Sequence, residues 1–159
     1  MGIITNDMRR VVEEQQLGFV ATVGSDGTPN LSPKGTTAVW DDNHLVFADI
    51  CSPGTIANLR ANPAVEINVV DPLVRKGYRF KGRATVLGEG PEFAAALEFY
   101  RRRGSSSTKR HIVLASVEYA EPLVSTAYDG GQTETTITAR WRAYWEQLWR
   151  RREPASAPG

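Results

Sequence analysis

Cysteine is almost absent from this 159-residue sequence: the single one, Cys51, excludes an intramolecular disulfide framework and points to a reducing compartment, the cytoplasm. Histidine is nearly as scarce, and His44 and His111 lie too far apart to give zinc-ligand spacing. Net charge is slight, +1 at neutral pH, which argues against a dedicated nucleic-acid binder and makes any cationic site a local one. No apolar run approaches the length needed to cross a membrane. The first ten residues also lack the apolar core and small-residue cleavage site of a signal peptide. These absences predict a soluble, cytoplasmic, unprocessed chain with no nucleic-acid or membrane partner and no metal.

What is present is ordinary for a globular protein, 41% hydrophobic and 23% charged residues, enough for one hydrophobic core. A single domain is expected over residues 1–150. The Pro- and Ala-rich end, residues 151–159, has the composition of a disordered tail. No internal repeat is visible.

Thr5 or Asn6 can cap a first helix carrying Met8, Val11 and Val12 on one face, which ends near Gly18. Phe19 to Val23 reads as a strand, and Ser25-Asp-Gly-Thr-Pro29 has hairpin-turn chemistry. Asn30 to Trp40 is the returning strand, irregular or at an edge because Pro33 removes a ladder donor and Gly35 has no side chain to pack. Leu45 to Asp49 is apolar enough to be buried on both faces. Ser52 then suits an N-cap and Pro53 the first position of a helix that Asn62-Pro63 terminates.

Strands follow over Ala64 to Asp71 and Tyr78 to Leu87, the latter alternating Tyr78 and Phe80 with Arg79, Lys81 and Arg83. Gly90-Pro91 opens a helix with an apolar face of Phe93, Ala94, Leu97 and Tyr100. A flexible Ser-rich loop then leads into a long strand, His111 to Tyr119. From Thr133 onward Ile137, Trp141, Tyr144, Trp145, Leu148 and Trp149 recur at helical steps, an aromatic face that must cover something. Short strands with hairpin turns and intervening helices predict a mainly β, α+β fold, an antiparallel barrel with helical additions.

With these elements in order, the sequence resembles the pyridoxamine 5′-phosphate oxidase-like family of FMN-binding split β-barrels. The resemblance runs from about Met8 to Tyr119. It is carried by Leu17-Gly-Phe-Val-Ala-Thr-Val23, Asp26-Gly-Thr-Pro-Asn30, Leu31-Ser-Pro-Lys-Gly35, Ala57-Asn-Leu-Arg-Ala-Asn-Pro63 and Phe80-Lys-Gly-Arg-Ala84. It implies an obligate homodimer with FMN at the subunit interface, and a small-molecule electron donor and acceptor as partners. The flavin would be lined by Ser32, Pro33, Lys34 and Gly35, with the turn Ser52, Gly54 and Thr55 at its phosphate, and Asp49 is a further cofactor-binding candidate. Hydroxyls and first-turn N–H groups suit a dianion there, and Lys34 can supply charge. Arg79 is a further candidate.

The departures are specific. The oxidases carry adjacent Arg and Lys in that turn, where this chain has Gly54 and Thr55. Gly77 stands where the family has a Gln, and the oxidases' C-terminal Arg-Leu-His-Asp-Arg signature is absent. The resemblance therefore implies a small FMN-binding relative rather than the oxidase, acting as a flavin-dependent oxidoreductase, with a deazaflavin as the alternative cofactor. A flavin carrier, or a dimer whose site has decayed, stays open. Haem-handling relatives also exist, but the C-terminal region here offers no histidine.

No catalytic residue is identified. Read without the resemblance, Ser52-Pro-Gly-Thr55 is a plain cap and turn, Lys34 a solvated side chain, the strand cations a wet face and Cys51 a small buried hydrophobe.

Overall fold

The computed structural model describes residues 2–152. Helix α1 (Asn6–Gln15) is capped by the Thr5 hydroxyl, which accepts from the Met8 N–H at 3.3 Å, and it buries Met8, Val11 and Val12. Strands β1 (Gly18–Val23) and β2 (Pro29–Lys34) form the expected hairpin. Its turn is closed by Gly27 at φ 82° and by the Asp26 carboxylate, which accepts from both the N–H and the hydroxyl of Thr28. Then follow β3 (Ala38–Val39), β4 (His44–Asp49), α2 (Pro53–Ala61), β5 (Ala64–Asp71), β6 (Lys76–Leu87), α3 (Gly90–Arg102), β7 (His111–Val124) and α4 (Glu134–Arg152).

All seven strands belong to one antiparallel sheet in the order β2-β1-β5-β6-β7-β4-β3. The edge strands β2 and β3 are joined only through Gly35, Thr36 and Thr37. That link spans at most about 14 Å, whereas six inter-strand spacings laid flat would need about 29 Å. The sheet must therefore curl until its edges meet, which makes it a split barrel. This corrects the expectation of one strand from Asn30 to Trp40: the chain breaks after Lys34 and its two halves pair at opposite edges. Thr37 fixes the break by donating its N–H and its hydroxyl to the Lys34 carbonyl, at 3.3 and 2.8 Å.

Strand β4 is buried on both faces, as its apolar run predicts. Leu45 and Phe47 enter the barrel core with Val12, Val20, Ile67, Val69, Phe80 and Val113. Val46 and Ala48 face a second core under α3, built from Ala38, Ala96, Tyr100 and Ile112. Ala96 takes the buried position expected of Ala94, which is exposed. Strand β7 runs five residues beyond Tyr119, and a bulge lets Gly82 face Val117 while Lys81 faces Tyr119.

At the C-terminus the expected tail is corrected in part. Arg151 and Arg152 are helical, and 153–159 lie outside the described residues. Helix α4 buries only Ile137. It is held near its start by a Lys76–Glu134 ion pair at 2.9 Å and by Arg75 stacked 4.3 Å from the Trp141 ring centre. Ile137 and Trp141 pack against the chain, whereas Tyr144, Trp145 and Trp149 remain exposed, so the far half of the aromatic face is largely uncovered among the described residues. Among the described residues no helix is long and apolar enough to cross a membrane.

Candidate functional site

The break after β2 aims Lys34 inward. Its register partner is Gly18, and Ser32, two residues earlier, pairs with the fully buried Val20, whereas Pro33 pairs with the exposed Phe19 on the outer face. The turn is clamped onto β4 from above: Thr36 Oγ1 accepts from the Ala48 N–H at 2.8 Å, and Tyr100 donates its hydroxyl to the Thr36 carbonyl at 2.8 Å. Lys34 thus comes to rest at the end of β4, 5% exposed, with its ammonium donating to Ser52 Oγ.

That contact overturns one expectation. Ser52 occupies the N-cap position of α2, but its side chain makes no capping bond, because its oxygen receives the lysine instead. In the first turn of α2 the Ile56 N–H reaches the Ser52 carbonyl at 3.3 Å and Pro53 has no N–H, which leaves those of Gly54 and Thr55 available, and Thr55, 3% exposed, has a hydroxyl bonded to no group among the described residues.

A second buried lysine shows what is unusual about the first. Lys109, 8% exposed, donates to Ser105 Oγ at 2.7 Å, to the Ser107 carbonyl at 2.9 Å and more weakly to Ser107 Oγ, and lies 5.3 Å from the Tyr100 ring centre. Its three N–H bonds are accounted for, and the loop expected to be flexible is folded around it. An ammonium has three donors, and Lys34 has one acceptor among the described residues. Burial holds the Lys34 ammonium below the usual lysine range, an effect the nearby Asp49 charge opposes.

Asp49, 3% exposed, is fixed on both oxygens. Oδ1 accepts the Ser52 N–H at 2.7 Å, and Oδ2 faces His111 Nδ1 at 3.1 Å, the two residues being register partners at the ends of β4 and β7. The other nitrogen of that ring, Nε2, lies 3.1 Å from Arg60 Nη2 on α2. These groups line a cavity of about 170 Å³ together with Arg110 and Cys51, and Cys51 is exposed rather than buried as expected.

The structure therefore brings together Lys34, Asp49, Ser52 and Thr55, with Gly54 exposed at the helix start and no atom within 4 Å of where its Cβ would stand. Gly35 lines a separate cavity of about 370 Å³ with Thr36, Thr37, Tyr100 and Arg103. Arg79 is elsewhere. It lies three strands from β2, paired with Glu121 at 3.0 Å and with Nε 2.9 Å from Glu66 but out of line for a hydrogen bond, and Lys81 shares Glu66. Its charge is committed to carboxylates within the chain, which removes the reason for assigning it to an anion. His111 and Arg60 are the members that sequence reading missed. The pairing of β4 with β7 reveals His111, and the packing of α2 beside that ring reveals Arg60.

A further cavity of about 380 Å³, near α1 and the start of α4, is lined by Asp7, Arg10, Lys76, Tyr78 and Glu134. Its charges are matched internally: Tyr78 and Arg10 both donate to Asp7, at 2.5 and 2.7 Å, and Lys76 pairs with Glu134.

Residues 4–124 match the pyridoxamine 5′-phosphate oxidase family. Among solved structures the chain is similar to HupZ from Group A Streptococcus, with 32% identity and a TM-score of 0.70 over 77% of this chain and 95% of that one. Two others share the fold at lower identity. One is an FMN-binding protein from Syntrophomonas wolfei subsp. wolfei, with 15% identity and a TM-score of 0.63 over 74% of this chain and 84% of that one. The other is an F420 reductase, with 23% identity and a TM-score of 0.57 over 74% and 98%. No curated protein matches the sequence.

Proposed function

The chain belongs to the pyridoxamine 5′-phosphate oxidase family, and from that premise we propose that it is a flavoprotein, binding FMN or a deazaflavin and acting as a flavin-dependent oxidoreductase on a small molecule. The observation that carries this reading is the buried Lys34 ammonium with one acceptor, set beside the first turn of a nine-residue helix. A buried charge short of partners is unfavourable unless a counter-ion completes it. A phosphate dianion supplies both the charge and the missing acceptors, and the helix N–H groups and the Thr55 hydroxyl add donors.

The flavin, when bound, supplies the redox chemistry. The chain's own residues anchor the phosphate and exclude water around it. Lys34 provides the charge, Ser52 orients Lys34, and Thr55 donates a hydroxyl. No acid–base pair has to act on the flavin phosphate in such a site.

Assembly as a homodimer is part of the same reading. Phe19, Leu31 and Tyr119 are exposed on the outer sheet face, and Tyr144, Trp145 and Trp149 on α4 are uncovered too, so a second copy has apolar surface to bury. A flavin at such an interface would be enclosed by both protomers. The F420 reductase shares the fold, and that favours keeping the deazaflavin as the alternative.

The test is a visible absorption spectrum of the purified protein, with mass identification of whatever denaturation releases. Released FMN or deazaflavin supports the reading, and a colourless protein that also fails to take up either one ends it. Thr55→Val keeps the side-chain size while removing one donor, and is expected to loosen FMN by about 1 kcal/mol, roughly fivefold in Kd. Fluorescence titration measures this directly.

The lowered pKa of Lys34 sets a pH dependence. Below its folded-state pKa the lysine is charged in both the folded and unfolded chain, and its burial counts against the fold. As pH rises from that value toward the ordinary 10.5, the unfolded chain holds more protons, so the penalty is relieved. Phosphate loses its counter-charge over the same interval. FMN affinity is therefore expected to fall in alkaline solution before an ordinary lysine would titrate, while the contribution of Lys34 to stability improves. Titrations repeated from neutral pH upward, with thermal melts of the flavin-free protein, check both directions.

A further inference from the structure

We propose that His111 is a positioning residue for the anion site, acting through Asp49 and Ser52 on Lys34; the proposal rests on the flavin-phosphate reading given above. Four contacts run in sequence. Arg60 Nη2 lies 3.1 Å from His111 Nε2, and His111 Nδ1 lies 3.1 Å from Asp49 Oδ2. The Ser52 N–H reaches Asp49 Oδ1 at 2.7 Å, and Lys34 donates to Ser52 Oγ.

The direction of each hydrogen bond is forced. A guanidinium can only donate, so Nε2 must present its lone pair to Arg60. The ring is then neutral with its proton on Nδ1, where it can be donated to the Asp49 carboxylate. Arg60 thus selects the tautomer, and the tautomer ties down the carboxylate. The other charged groups at the ring are accounted for: Asp49 comes from β4, Arg60 from α2, and Arg110 lines the same small cavity. Gly88, just past the end of β6, also faces the ring and brings no charge.

This matters to an anion because Asp49 is a buried negative charge close enough to Lys34 for the two charges to interact. Held by His111 and the Ser52 N–H, the carboxylate has both oxygens occupied and leaves the remaining ammonium donors of Lys34 to a ligand. Without the His111 donor, Oδ2 loses its partner in a buried position, and Lys34, whose charge already interacts with the carboxylate, has N–H donors with no acceptor among the described residues. The carboxylate then competes for the ammonium donors that a phosphate needs. His111 therefore keeps the aspartate from quenching the lysine.

The experiment compares FMN affinity in the full chain with His111→Leu and His111→Asn. The asparagine amide can replace the Nδ1 donor, and leucine cannot. Leu is expected to raise the FMN Kd about tenfold, with Asn staying within about threefold of the unsubstituted protein. Imidazole nitrogen NMR on the flavin-free protein is expected to place the His111 proton on Nδ1. Equal affinity in His111→Leu, an asparagine variant no better than leucine, or a proton on Nε2 would each overturn the proposal. Failure of the unsubstituted protein to bind FMN is a different result, and it overturns the flavin reading itself.

Discussion

Lys34→Met is expected to weaken FMN binding by about 100-fold, a loss of roughly 3 kcal/mol, without lowering the stability of the flavin-free protein. The two halves of that expectation have one cause. In the flavin-free chain the ammonium is buried with a single acceptor, so its desolvation is poorly compensated. Methionine fills a similar volume with no charge to desolvate, and the melting temperature should hold or rise. With FMN the ammonium is, among the described residues, the buried cation beside the helix start, and its removal takes that charge away from the phosphate, leaving only the exposed Arg60 and Arg110 as nearby cations. Isothermal titration with FMN, paired with thermal melts of the flavin-free variant, separates these effects. An unchanged Kd would move the phosphate away from Lys34. A large drop in melting temperature would mean that the lysine is structural, as Lys109 is.

The largest stability effect is expected at Gly82. This glycine sits opposite the β7 bulge, and a Cβ built on it would stand 1.8 Å from the Ser116 carbonyl oxygen. The neighbour is backbone in the longest strand pairing of the sheet, so no side-chain rotation relieves the overlap. Gly82→Ala must separate β6 from β7 at the bulge, which places it at or beyond the upper end of ordinary overpacking costs, about 3 kcal/mol. Urea denaturation should show a lower midpoint with an unchanged slope. Gly54→Ala is the matched control, because nothing lies within 4 Å of its Cβ position. Comparable losses in the two variants would remove the bulge as the cause.

Gly82 also illustrates what the sequence made legible. It belongs to the run Phe80-Lys-Gly-Arg-Ala84 that carried the family resemblance, yet its reason for being glycine is a contact with a strand more than thirty residues away. Elements defined by local chemistry were readable: the Thr5 cap, the Asp26-Gly27 turn, the two-faced strand at Leu45 and the Pro53 helix start all lie where residue type alone puts them.

What was not readable depended on which strand lies beside which. The break after Lys34 sends its halves to opposite sheet edges, and nothing in Pro33 or Gly35 specifies the far edge. His111 looked like a strand opener until β4 and β7 placed it against Asp49. Arg79 looked like one of three cations on a wet face, and Glu66 and Glu121, from its two neighbouring strands, claim its charge. Ser52 has the residue type of a cap, but its partner, Lys34, comes from eighteen residues upstream.

The curled sheet has a consequence in time. Strands β5, β6 and β7 pair with their neighbours in the chain apart from the α3 excursion, and β1 pairs with β2 across a tight turn. The joins that complete the sheet are remote: Phe19 must find Asn68, and Leu45 must find Ala115. Closing long loops is the slow, entropically opposed part of folding. The β5-β6-β7 meander should therefore assemble first and β4 dock last. Truncations in β6 are then expected to slow refolding, whereas truncations in β4 chiefly speed unfolding, a contrast that stopped-flow chevrons can read. Since Asp49 and Ser52 travel with β4 and the turn after it, the anion pocket would be among the last parts of the chain to form.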